Sequence, residues 1–207
     1  MPEGLPVAAI RWGSVGPLLL MSVAIMGSPG PATISLVAAG SVYGVRGSLR
    51  YLFGIIIGTT IVLAAVASGI TGALLAVPAI GSVLIWISAA YILWLAYQIA
   101  TAPPLSEPTA ASNAFSFAGG TILGVANPKA WVAIAAVFAS ARLADSATTD
   151  ATAKIGVLTA MIVMICATWL VAGTSIAPLL REPRRARLVN VVLAVSVVGA
   201  TALAVLH

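Results

Sequence analysis

The chain alternates between long apolar runs and short polar interruptions, and the apolar runs show no period-two alternation. A helix crosses the hydrocarbon layer with roughly 20 apolar residues. Six runs meet that length: Pro17–Gly40, Ser48–Thr71, Ala79–Ala100, Phe115–Ala141, Ile155–Pro178 and Leu188–Leu206. Their interruptions are chemically sensible turns. Residues 41–47 carry Tyr43-Gly44 and Arg46, Val77-Pro78 punctuates the next turn, and residues 142–154 hold Asp145 and Asp150. Residues 181–187 form the densest charge cluster, and residues 101–113, with Pro103, Pro104, Glu107 and Pro108, read as a linker. The pattern predicts an all-α integral membrane fold of six transmembrane helices in a single membrane domain, residues 1–207.

Three spans, a linker and three more spans suggest two repeats, residues 14–100 and 115–207, joined by residues 101–114. An odd number of spans per repeat forces the second to insert upside down, as in many secondary transporters. A shift of 99 residues places Pro29 on Pro128 and Ser28 on Asn127. Each motif lies about a dozen residues, or about 18 Å of helix, into its span, close to the middle of a roughly 30 Å layer. Helices 1 and 4 are therefore expected to be broken or kinked at proline motifs of matching depth.

Composition strengthens the membrane reading. The 207 residues are 61% hydrophobic and 7% charged, with a mean hydropathy of +1.12. A soluble domain is roughly 25% charged and could not hide so much apolar surface. Glu3 and Arg11 ahead of a long first span do not suit a secretory signal peptide. The net charge of +5 comes from scattered residues without a basic patch, so no nucleic-acid partner is expected. Loop charge orients the chain. Arg46, Arg50, Arg181, Arg184, Arg185 and Arg187 fall on one side, and Arg11, Arg142 and Lys154 on the other. The first side is expected to be cytoplasmic, with both termini outward. These six arginines read as topology anchors. Gate residues are the alternative for Arg46 and Arg50, and anionic-lipid contacts for the later cluster. Tyr91, Trp94 and Tyr97 suit an interfacial belt, whereas Trp131 and Trp169 lie deeper and read as packing residues.

The candidate chemistry sits at the two breaks. In Ser28-Pro29-Gly30-Pro31 two prolines remove two backbone donors, and the break frees carbonyls before it and N–H groups after it, around Ala32, Thr33 and Ser35. Such N–H groups suit a substrate carboxylate, and freed carbonyls suit an ammonium. The bland alternative is a simple kink. In Asn127-Pro128-Lys129, Lys129 is the one charged residue expected deep inside a span, at a cost of roughly 2.5–3.5 kcal/mol. It either meets a substrate carboxylate or is a structural pin held by helix carbonyls. Asn127 either meets substrate or makes a helix–helix hydrogen bond. The acids Glu3, Glu107, Asp145, Asp150 and Glu182 all fall outside the six runs, and the sole histidine is His207. No metal and no cofactor is expected, and a zwitterionic or anionic small molecule is favoured. The single cysteine, Cys166, rules out an internal disulfide and a thiol relay within the chain. An enzyme is not expected, for want of an in-span nucleophile–base pair. Gly54 with Gly58, and Gly120 with Gly124, permit close helix approach. Internal packing is the main reading and a homodimer seam the alternative.

Taken together, these motifs resemble the lysine-exporter (LysE/RhtB-type) translocator family of bacterial amino-acid exporters. The resemblance runs through Ser28-Pro29-Gly30-Pro31, Gly44-Val45-Arg46-Gly47, Gly54 and Gly58, residues 89–95 (Ala-Ala-Tyr-Ile-Leu-Trp-Leu), and Asn127-Pro128-Lys129-Ala130. It covers most of the chain in the family's order. Ser28 stands where that family commonly has asparagine, and Ala130-Trp131-Val132-Ala133 is poorer in phenylalanine than usual. The resemblance implies a bacterial inner-membrane secondary transporter that exports amino acids or related zwitterionic metabolites, driven by the proton gradient. Ser28, Pro29, Gly30, Pro31, Thr33, Asn127, Pro128 and Lys129 are then the expected transport site. A membrane factor that handles lipids or envelope components is the competing reading, and a lipid-wide groove in place of a polar pocket at the prolines would mark it.

Overall fold

The computed structural model describes residues 10–69, 86, 90, 93–97, 99–101, 115–175 and 182–206. Most of the expected third span, the linker, Val77-Pro78, Tyr91, Arg181, the acids Glu3 and Glu107, and His207 lie outside them.

The described chain is helical throughout, in the order α1 (Trp12–Met21), a π-helical turn (Ser22–Met26), α2 (Pro31–Ala67), α3 (Phe117–Ala126), α4 (Pro128–Ser140), α5 (Ala147–Thr174) and α6 (Pro183–Leu206). Among the described residues, α2 and α5 are long and apolar enough to cross a membrane. The pair α3–α4, bent by 59°, makes a third candidate span. Large apolar side chains cover the outer surface: Phe53, Ile57 and Ile61 form an exposed stripe at four-residue spacing, and Leu20, Val132 and Leu188 are more than 60% exposed. In water such a surface would aggregate; in a bilayer it is the lipid-facing side.

α2 is two helical arms that meet at Gly44. The loop expected over residues 41–47 shrinks to this one residue, with φ 66° and ψ −179°. Only glycine adopts that backbone cheaply. Sixteen residues of straight helix would span about 24 Å, yet the Tyr51 hydroxyl donates to Ser35 Oγ at 2.9 Å. The arms therefore fold back on each other. Phe115 closes this corner with edge-on contacts to Tyr43 and Tyr51, at 5.7 and 5.1 Å between ring centroids. Arg46 and Arg50 are exposed on the second arm, in helix rather than in a loop.

Glycines set the two closest helix contacts. A Cβ on Gly54 would strike the Phe117 carbonyl, one on Gly58 the Thr121 carbonyl, and one on Gly124 would come within 2.8 Å of the Ile55 carbonyl. The two glycine pairs thus face each other across the seam between the second arm of α2 and α3. The first arm of α2 packs on α5 in the same way: Gly40 lies under the Leu170 carbonyl and Gly173 under that of Val37.

Two further boundaries differ from the sequence reading. The expected loop over residues 142–154 is confined to residues 141–146, and α5 takes in the rest. Asp150 and Lys154 are four residues apart on α5, buried, and paired at 2.8 Å between Oδ2 and Nζ. The hydropathy pattern had placed both in a solvated loop, since an ion pair reads there as two polar residues. Asp150 also accepts the N–H groups of Leu143 and Ala144, and Lys154 Nζ lies 4.8 Å from the centre of the Phe138 ring. Lys154, near the start of α5, is thus more deeply buried in the protein than the half-buried Lys129. At the other boundary, α6 begins inside the arginine cluster. Arg184, Arg185 and Arg187 are exposed on its first turns, and Arg185 pairs with Glu182 at 2.8 Å.

Candidate functional site

The first break follows from its two prolines. Helix α1 ends in the π-helical turn, whose last bonds run from Gly27 N–H to the Ser22 and Val23 carbonyls. Gly30 is extended (φ −166°, ψ 177°) and Pro31 is the first residue of α2, where a missing N–H costs nothing. Thr33 caps the restart: its hydroxyl accepts the Gly30 N–H at 2.8 Å and donates to the Gly30 carbonyl at 3.0 Å. The helical ladder resumes with Ile34 N–H to the Gly30 carbonyl, so the amides of Ala32 and Thr33 lie ahead of it. The Ser28 hydroxyl donates back to Ile25.

The second break is one residue wide. Asn127 (φ −72°, ψ 106°) separates α3 from α4, and Pro128 opens α4. Pro31 and Pro128, 97 residues apart, thus each open a helix, whereas Pro29, which the 99-residue shift places on Pro128, lies in the break ahead of one. Counting prolines along the chain cannot tell which of the two restarts the helix.

Side chains from elsewhere satisfy the carbonyls that the breaks release. The Trp169 indole donates to Gly27 at 3.1 Å, and the Trp131 indole to Val125 at 2.7 Å. These tryptophans, expected as packing residues, also supply a donor to each break. Lys129 reaches across from the second break to the first: its ammonium donates to the Ser28 carbonyl and, at 3.1 Å, to that of Pro29. Gly30 makes room for it. A Cβ there would lie 2.6 Å from Lys129 Cδ. Because the Gly30 backbone is open to any residue, that space is the reason for glycine.

A cavity of about 50 Å³ opens where the breaks meet. Gly30, Thr33, Thr59, Asn127, Lys129 and Cys166 line it, with Met26, Ala130, Ala133, Ile134, Ile162 and Ile165 supplying apolar wall. Lys129 is the only formal charge among these lining residues. Asn127 is 5% exposed, and its Oδ1 has no hydrogen-bond partner among the described residues. An orphaned buried acceptor costs about 1–3 kcal/mol, which a donor on a bound molecule would recover. Of the residues expected from sequence, Gly30, Thr33, Asn127 and Lys129 come together on the cavity. Ser28 and Pro29 contribute carbonyls, and Pro31 and Pro128 start the helices. Thr59 and Cys166 were missed. Cys166 belongs to the buried stripe Leu158, Ile162, Cys166 and Leu170 at four-residue spacing, a pattern visible in the sequence once α5 is taken as a helix.

Comparison with known proteins gives the chain's family. The profile of the LysE type translocator family matches residues 23–206. The cysteine/O-acetylserine efflux protein of Salmonella typhimurium is 42% identical over 81 residues, which is 39% of this chain and 41% of that protein. Its counterpart in Escherichia coli O9:H4 is 40% identical over 77 residues, 37% of this chain and 39% of that protein. An uncharacterized membrane protein of Vibrio cholerae is 35% identical over 125 residues, 58% of this chain and 60% of that protein. The chain thus matches about two fifths of the length of the efflux proteins. No solved structure matches it. With both proline breaks inside the matched region, the chain belongs to the LysE type translocator family.

Proposed function

We propose that this protein is a secondary exporter of small zwitterionic amino acids or their derivatives in a bacterial inner membrane. It works by alternating access of two inverted three-helix repeats, residues 14–100 and 115–207, and is driven by the proton gradient. The side bearing Arg46, Arg50 and the residue 181–187 cluster is cytoplasmic and both termini face outward. The observation that carries the reading is the cavity at the meeting of the two breaks, lined by the Lys129 ammonium and the unpartnered Asn127 Oδ1. A substrate carboxylate meets Lys129, and its ammonium meets Asn127 and the freed carbonyls of Ser28 and Pro29. The apolar wall of Ala130, Ala133 and Ile162 favours a short uncharged side chain. The efflux relatives add cysteine and O-acetylserine to the substrates to be tried.

The test is exchange of labelled amino acids by purified protein in liposomes, across a panel that includes cysteine and O-acetylserine. Absence of exchange for every member would refute the reading. Lys129→Met is expected to abolish exchange while the protein still folds; undiminished exchange would remove Lys129 from the site.

A further inference from the structure

We infer that Lys129 is an internal stand-in for the substrate's ammonium: it occupies the Ser28 and Pro29 carbonyls in the empty protein, and substrate enters by taking over those carbonyls while its carboxylate takes Lys129. The inference rests on the exporter reading and specifies how that site is closed and which charges open it.

Three observations carry it. The freed carbonyls of the first break are the natural acceptors for an ammonium, and a lysine 101 positions away already fills them. The cavity beside that lysine, at about 50 Å³, has the Lys129 side chain in its lining. Moving the four-carbon stem of Lys129 is what enlarges it. Finally, Gly30 leaves the stem no steric barrier on the break side, since its missing Cβ would sit against Lys129 Cδ and Nζ.

Charge decides which molecules can make the exchange. A zwitterion adds no net charge: its ammonium replaces Lys129 on the carbonyls, and its carboxylate pairs with the displaced ammonium. A primary amine without a carboxylate would strand two cations in a cavity with no acid among its described lining residues, and like charges at low dielectric repel strongly. A carboxylate without an amine would draw Lys129 away and leave the Ser28 and Pro29 carbonyls bare, which costs about what the new pair gains. Selection for zwitterions thus arises from an exchange of partners, with no acidic residue in the site.

Cys166, the chain's single cysteine, lines the same cavity and is 6% exposed, so its reaction with a small water-soluble methanethiosulfonate reports opening. In protein without substrate, Lys129→Met and Gly30→Ala are each expected to speed Cys166 labelling by at least about tenfold, the scale of losing one charge-assisted hydrogen bond. Gly30→Ala keeps every charge, and its backbone angles are open to alanine, so it separates displacement of Lys129 from loss of its charge. Size-exclusion profiles check that both variants fold. In the wild type, serine is expected to alter labelling and its decarboxylated form, ethanolamine, to leave it unchanged; in Lys129→Met, ethanolamine is expected to act as well. Wild-type labelling rates in both folded variants would overturn the inference, as would equal action of ethanolamine on wild type and Lys129→Met. If instead the variants label faster but no amino acid affects labelling or is exchanged in liposomes, the closure stands and the exporter reading falls.

Discussion

Replacing Asp150 with alanine tests the buried ion pair that opens α5. Lys154 is 4% exposed, and among the described residues Asp150 is its one carboxylate partner, at 2.8 Å. Without Asp150 the lysine keeps, among the described residues, the Phe138 ring, 4.8 Å away, a contact worth about 0.5–2 kcal/mol. The Leu143 and Ala144 N–H groups lose their shared acceptor at the same time. Removing one member of a buried pair costs about 3–5 kcal/mol. The low end applies here, because the pair sits within two turns of the helix start and the lysine stem can swing its ammonium toward water. About 3 kcal/mol is a change of more than about 100-fold in the folded-to-unfolded ratio. Lys154→Met should cost less, since Asp150 retains its two backbone donors. The double variant Asp150→Ala, Lys154→Met should be more stable than Asp150→Ala alone, because no charge is left stranded. Titration with sodium dodecyl sulfate in mixed micelles, followed by tryptophan fluorescence, measures all four proteins. If Asp150→Ala falls within about 0.5 kcal/mol of wild type, or the double variant is no better than the single, the pair does not hold this end of the bundle.

Other outcomes can be read by the same titration. Gly58→Ala should cost about 1–3 kcal/mol, because the new Cβ meets backbone of α3, including Gly124 Cα at 3.0 Å. Gly156→Ala, with nothing within 4 Å of its Cβ, should instead stabilise by up to about 1 kcal/mol; equal effects at the two sites would refute the close seam. Gly44→Ala should cost about 1–3 kcal/mol through its positive φ alone, since its Cβ would also meet open space, and Gly44→Asn should be no better than alanine at this ψ. Trp131→Phe keeps the ring but strips the Val125 carbonyl of its donor, a loss of about 1–3 kcal/mol. A stability unchanged from wild type would show that water or a neighbour replaces the indole.

The sequence made the breaks legible because their causes are local. Pro29, Pro31 and Pro128 lack N–H groups wherever the chain folds, so a helix kinks or ends ahead of them. It was less informative at polar residues whose partners lie nearby only in the fold. Asp150 and Lys154 scored as loop because hydropathy counts each charge alone, although their four-residue spacing is also that of a helical pair. Tyr43-Gly44 suggested a turn, and the reversal does occur there; its one-residue width follows from the backbone of Gly44 and from the Phe115, Tyr51 and Ser35 contacts that hold it. Cys166 served in the sequence only to rule out an internal disulfide and a thiol relay, when its place on a buried stripe was the informative feature.

By itself, then, the sequence determined an apolar helical chain for a lipid environment, interrupted twice by proline, with a family signature at each interruption. Those properties depend on consecutive residues and survive any rearrangement of the helices. The tertiary structure alone decided what meets across the breaks. Lys129 lies 101 positions from the carbonyl it holds, and Trp169 lies 142 from its own. Such pairings depend on how closely helices approach, which the facing glycines at 54, 58, 120 and 124 permit but do not announce. An unpaired lysine in the sequence became, through packing, a cation seated on the freed carbonyls of Ser28 and Pro29.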